Sequence, residues 1–179
     1  MPTAVPDRAL LLPVLAMTLV VVASNVLVQL PLNDWLTWGA FTYPVAFLVT
    51  DLTNRAQGPA RARLVVYAGF ALAVLLSILL ATPRIALASG TAFLTAQLLD
   101  VTLFDRLRRA AWWKAPVVSS ALASVWDTAV FFALAFAATG LPWVTWAVGD
   151  LAVKALMALV LLAPFRLLMG LVRPWPARA

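Results

Sequence analysis

Four aspartates of this chain stand in or at the end of long apolar runs: Asp51, Asp100, Asp127 and Asp150. Lys154 follows Asp150 at the i, i+4 spacing, the favourable order for a pair on one helix face. An ionisable group at the centre of a membrane span costs about 2.5–3.5 kcal/mol to insert and marks a functional site by default. Four such acids face one buried base, Lys154, and one base at a span edge, Arg55. A surplus of carboxylate suits a ligand rich in N–H donors, a cationic ligand or a titrating proton, because a carboxylate only accepts. It does not suit an anion.

Other chemistries are excluded by residue type. The chain has no Cys and no His, and all seven acids are Asp. Thiolate, zinc, di-iron carboxylate and Ser–His chemistry therefore have no ligands or nucleophile-base pairs to work with. Neither a metal nor a cofactor is expected. Two acids sharing a proton, Asp127 with Asp150, could serve an intramembrane aspartyl enzyme. The sequence around Asp150 is only VGD, without the full glycine-flanked protease motif, so no enzyme is expected.

Each polar group has a plainer alternative. Asn25 and Gln29, four apart, could be interhelical hydrogen-bond glue. Tyr43, Phe47, Asp51 and Arg55 form one stripe, and Asp51 can pair with Arg55 as a structural ion pair at the span edge. Ser89, Phe93, Gln97 and Asp100 fall at helical spacing; Gln97 with Asp100 makes a donor–acceptor face for an amide edge, or locks two helices together. Asp150 and Lys154 could compensate each other. Asp127 is different. It shares a face with Ser120, Ser124 and Phe131, no base on its own helix can reach it, and it lies roughly 16 Å into its span at 1.5 Å per residue.

The elements that must position these groups are membrane helices. The chain has 179 residues, 64% of them hydrophobic and 11% charged, and a mean hydropathy of +0.98, a balance that belongs to a polytopic membrane protein. With about 20 residues needed per span, six segments qualify: 9–29, 35–52, 64–81, 85–104, 116–138 and 142–164. The fold class expected is all-α, one six-helix membrane domain with short links and no soluble domain. Pro44 interrupts the second span, and Gly69 with Ala73 on the third gives small-x-x-x-small packing. Trp35, Trp38, Trp112, Trp113, Trp143 and Trp146 fall near span ends, as an aromatic belt does.

Lys and Arg in alternate links give the orientation. Arg8, then Arg55, Arg61 and Arg63, then Arg106, Arg108, Arg109 and Lys114, then Arg166, Arg173 and Arg178 all fall on one side; only Arg84 falls on the other. Both termini are therefore expected in the cytoplasm. The net charge of +6 is accounted for by these links and does not call for nucleic acid. The first span is too long for a signal-peptide core and is expected to be retained.

In TYPVAFLVTDLTNR (42–55), AQLLDVTLFDRLRR (96–109), WDTAVFF (126–132) and GDLAVK (149–154), the chain resembles the queuosine precursor transporter family, also called the vitamin uptake or VUT family. The resemblance runs from SNVLVQ (24–29) into the sixth span. It implies a multi-pass protein of the bacterial inner membrane that imports the 7-deazaguanines preQ0 (7-cyano) and preQ1 (7-aminomethyl) for queuosine in tRNA. On that basis Asp127, with Asn25 and Gln97, is expected to read the base edge. Phe131, Phe93 or Trp143 would stack on the ring, and Asp150 and Lys154 would shape the midplane site or carry coupling. The partners implied are the 7-deazapurine and the lipid bilayer, and homo-oligomerisation is left open. Another function with the same needs is the substrate-binding membrane subunit of an ATP-driven vitamin importer; a purely structural protein would have no use for so many charges in lipid.

Depth divides the polar groups into two tiers. Asp51 lies one residue from its span end with Arg55 beside it, and Asp100 lies about 6 Å inside the same surface. With Asn54 and Arg55 they suit a gate or a structural ion pair. Selection belongs to the deeper tier of Asn25, Asp127, Asp150 and Lys154.

Overall fold

The computed structural model of the chain describes residues 7–27, 30–33, 36–80, 82–172 and 174–175. Gln29, Trp35, Arg173 and Arg178, used above, lie outside the described residues. A 3-10 turn (Asp7–Leu10) leads into α1 (Leu11–Leu27), followed by α2 (Gly39–Thr42), α3 (Val45–Gln57), α4 (Pro59–Leu80), α5 (Pro83–Leu107), α6 (Lys114–Phe136), α7 (Trp143–Val160) and α8 (Leu162–Met169). The all-helical expectation needs one addition. Between α1 and α2 the short strands β1 (Pro31–Asn33) and β2 (Leu36–Thr37) pair antiparallel. Among the described residues four runs are long and apolar enough to cross a membrane, Pro59–Leu76, Pro83–Leu107, Lys114–Phe136 and Trp143–Met169, and α1 is a shorter apolar helix.

The second and sixth expected spans are each divided. Proline has no N–H to donate to the helical ladder and clashes with the preceding turn, and the second span breaks into α2 and α3 at Tyr43–Pro44. That break leaves Tyr43 facing the bundle interior. The sixth breaks at Leu161, three residues before Pro164, and continues as α8. The link expected between spans two and three shrinks to one residue. Gly58, at φ +85°, ends α3, and Pro59 opens α4 at the position where a missing N–H costs nothing. Arg61 and Arg63 therefore stand in the first turns of α4 rather than in a loop. A Cβ on Gly58 would also meet the Trp175 indole at 2.9 Å.

Packing is tightest where side chains are small. Buried Ala88, Ala92 and Ala96 on α5 and Ser119, Ala123 and Ser124 on α6 let these two helices make the most extensive contact in the bundle. α1 meets α4 where Met17 fills the space beside Gly69; a Cβ there would fall 2.7 Å from Met17 Cγ. Outward faces are apolar and exposed, for example Leu12 and Leu19 on α1 and Val148 on α7, as a lipid solvent requires.

Most of the basic residues gather at one end. Arg108 donates to the backbone and side-chain oxygens of Asn54 (3.0 and 2.5 Å) and to Trp175 O, while Trp175 N donates to Arg55 O. Gln57 donates to Ala9 O, so the start of the first helix reaches the same end. Arg84 lies at the far end, donating to Leu134 O and Ala137 O at the C-terminus of α6.

Candidate functional site

The centre of the bundle is built around one cation. Lys154 Nζ, on α7, lies 2.7 Å from Asp127 Oδ2 on α6 and 2.5 Å from Asp150 Oδ2 one turn back on α7, and its side chain is only 6% exposed. Thr128, next to Asp127, accepts from Lys154 at 3.1 Å and donates to Asp150 at 2.7 Å. From the broken second span, Tyr43 Oη donates to Asp127 Oδ1 at 3.2 Å, and its ring lies 5.7 Å from Lys154 Nζ. Three separate helical segments thus meet at one carboxylate. A buried charge is tolerated when it is paired and hydrogen-bonded, and Lys154, Asp127 and Asp150 each have such partners.

The cluster forms one wall of a cavity of about 190 Å³. Ser24 and Asn25 of α1 and Ser89 and Ala92 of α5 line its other sides, with Phe131 one turn beyond Asp127. Two acids and one base leave the wall with a net negative charge. Each oxygen of Asp127 already takes one donor, Tyr43 or Lys154, and has a second lone-pair site. A ligand with two adjacent N–H groups can be accepted there as a pair, and a planar ring can lie along Phe131.

A second polar group lies toward the basic end. Asp51 of α3 and Asp100 of α5 are buried with their carboxyls within hydrogen-bonding reach of each other. Thr50 Oγ1 lies 3.0 Å from Gln97 Oε1 and 3.4 Å from Asp100 Oδ2, and Ser120 Oγ of α6 lies 3.5 Å from Asp51 Oδ2. Among the described residues no ion pair reaches either acid. The pairing of Asp51 with Arg55 that their spacing allows is not made. Arg55 adjoins Arg108 and Arg166, whose charges, after burial itself, push its guanidinium below the usual value. Among the described residues no group of metal-ligating side chains is present.

Comparison with known proteins gives this geometry a family. The family model described as "Putative vitamin uptake transporter" matches residues 37–82 and 75–169, which carry the broken second span and every acid of both tiers. The chain belongs to this family. It is similar to the "Queuosine precursor transporter" of Escherichia coli K12, 37% identical over 82% of this chain and 79% of that protein. It is also similar to the "Probable queuosine precursor transporter" of Haemophilus influenzae, 35% identical over 65% of each chain. No solved structure matches. The protein is a multi-pass membrane transporter and not an enzyme.

In this transporter the residues singled out by sequence do not all meet at one place. Asn25, Asp127, Asp150, Lys154 and Phe131 come together around the cavity. Phe93 stands behind it, edge-on to Tyr43 at 6.1 Å, so it braces the site rather than facing the ligand space. Gln97 is buried beside Thr50 and Asp100, in the second tier and not with Asp127. Trp143, at the first turn of α7, is not part of the cavity wall. Asn54 donates to Val101 O and accepts from Arg108, tying α3 to α5. Tyr43, Ser24 and Ser89 complete the site and were not picked out as binding residues. Pro44 was the available signal for Tyr43, since a break in a membrane helix exposes its flanks to the interior.

Proposed function

We infer that this transporter imports queuosine precursors, the 7-deazaguanine bases preQ0 and preQ1, across the bacterial inner membrane. One observation carries the choice: a mid-bundle carboxylate, Asp127, is held by one donor per oxygen, Tyr43 and Lys154, on the wall of a cavity lined by polar side chains and Phe131. A guanine-like edge presents adjacent N–H donors that such a carboxylate accepts in pairs, and charge-assisted bonds of this kind are the strong ones. Asn25 supplies an amide beside it. Asp150 offers a second negative group for the ammonium of preQ1, while neutral preQ0 needs only the edge contacts. The names of the two relatives support the same substrate class. The basic end, which gathers Arg55, Arg61, Arg63, Arg108 and both described termini, faces the cytoplasm on this reading, by the positive-inside rule.

The test is genetic and direct. In a strain that cannot make preQ0 and lacks its own importer, expression of this chain restores queuosine in tRNA when preQ0 or preQ1 is added, each offered separately from queuine. Asp127→Asn abolishes that restoration while the protein still inserts in the membrane at wild-type level. Normal uptake by a well-expressed Asp127→Asn protein would falsify the assignment of the reading group.

A further inference from the structure

The second tier has features that the base site does not explain. Asp51 Oδ1 and Asp100 Oδ1 are buried with no hydrogen-bond partner, and so is Gln97 Nε2. Two carboxyls buried at hydrogen-bonding reach of each other do not both stay ionised: like charges in contact oppose one another, and a hydrogen bond between two carboxyls requires a proton on one. Asp51 also lines a second cavity, of about 20 Å³, whose wall it shares with Ser120, Ser124 and Lys154. A volume of roughly 10–15 Å³ is enough for one water when polar partners are present. The cavity therefore joins the two tiers with room for one water, with hydroxyls on its wall and Lys154 common to both cavities.

We propose that Asp51 and Asp100 hold a single shared proton, exchangeable through this one-water cavity with Lys154, so that loading of the base site and protonation of the pair are linked. Only H⁺ moves, as a relay: as Lys154 Nζ passes one of its three donated protons to a carboxylate of the base site, Asp127 or Asp150, it takes one from the cavity water, which takes one from the pair; no electron changes hands. The groups facing the pair are Thr50 from α3, Gln97 from α5, Ser119 and Ser120 from α6 and, across the cavity, Lys154 from α7, while α8 presents Phe165. α1 carries no titratable side chain; Arg61 and Arg63 of α4 stand at the basic end, and Tyr67 is half-exposed on the outside. Arg55, one turn along α3, lies with Arg108 and Arg166. Among the described residues no cation apart from Lys154 sits where it could hold both acids ionised. The link rests on the base site proposed above; the shared proton does not.

Infrared spectroscopy of the purified transporter in liposomes at neutral pH reads the proton directly. The wild type shows the C=O stretch of a protonated carboxyl, sensitive to heavy water. It is lost in the Asp51→Asn/Asp100→Asn double variant, moved in Asp100→Glu and kept in Asp127→Asn. A wild type without the band, or a band indifferent to both changes, overturns the shared proton. The link is read with a pH dye trapped in the same liposomes and neutral preQ0 as the probe. Proton movement accompanies preQ0 entry in the wild type and is lost in Asp51→Asn, which still exchanges preQ0 for preQ0. Entry of preQ0 without a pH change, or an unaltered signal in Asp51→Asn, overturns the link. If the wild type neither binds nor moves preQ0, the base-site reading falls and the link with it, while the infrared band still decides the proton.

Discussion

In the central tier Lys154 sits 2.7 Å from Asp127 and 2.5 Å from Asp150, with Tyr43 and Thr128 completing the set. In the tier toward the basic end, Asp51 and Asp100 lie against each other with hydroxyls and an amide but no cation. The first pairs its acids with a cation; on the proposal above, the second shares a proton between its acids. The difference matters because the two arrangements respond oppositely to neutral substitution. An ion cluster collapses when its only cation goes, whereas a protonated acid resembles the amide that replaces it.

The sharpest way to break the contrast is Lys154→Met. It strands two carboxylates in the bundle, and removal of one partner from a buried ion pair costs about 3–5 kcal/mol. Thermal unfolding in detergent should show that loss, and adding Asp127→Asn to the same protein should return part of it. Asp127→Asn alone leaves Lys154 with Asp150, so stability falls by about 1.5–3 kcal/mol, the worth of a hydrogen bond to a charged group. Uptake nonetheless disappears, and this separation of folding from transport is the useful observation. Tyr43→Phe keeps the ring against Phe93 and removes only a 3.2 Å hydrogen bond to Asp127, worth about 1.5 kcal/mol at the low end for a bond to a charged group. A binding titration with preQ0 should weaken by about tenfold on that scale. Smallest of all is Asp51→Asn, expected within about 0.5 kcal/mol of wild type because the shapes match and no ion pair is lost. A loss as large as that of Lys154→Met would show that Asp51 is ionised and strongly held, and would erase the distinction between the tiers.

Much of the site was legible because insertion into lipid is so selective. An acid survives in an apolar run only with a use or a partner, so Asp127, Asp150 and Lys154 could be chosen by type and depth alone. What failed were inferences about direction. Asp51 and Arg55 are four apart and allowed to pair, yet the rotation of α3 turns Asp51 to α5 and α6 while Arg55 remains with the arginines of the basic end. Gln97 does share a face with Asp100, but that face meets Thr50 rather than the cavity. Helical spacing states which residues are neighbours on one helix. It is silent on which neighbouring helix that face will meet.

By itself the sequence determined the class of protein, the approximate spans, the gathering of positive charge at alternate links and the family, because each depends on composition, local period or motif. Only the tertiary structure decided that Lys154 reaches Asp127 across 27 positions of chain, that Tyr43 joins them from a helix broken at Pro44, and that Asp51 and Asp100 meet. These contacts lie between helices, where the rotation and shift of whole rods, set by small residues such as Ala92, Ala96 and Ala123, choose which polar groups touch.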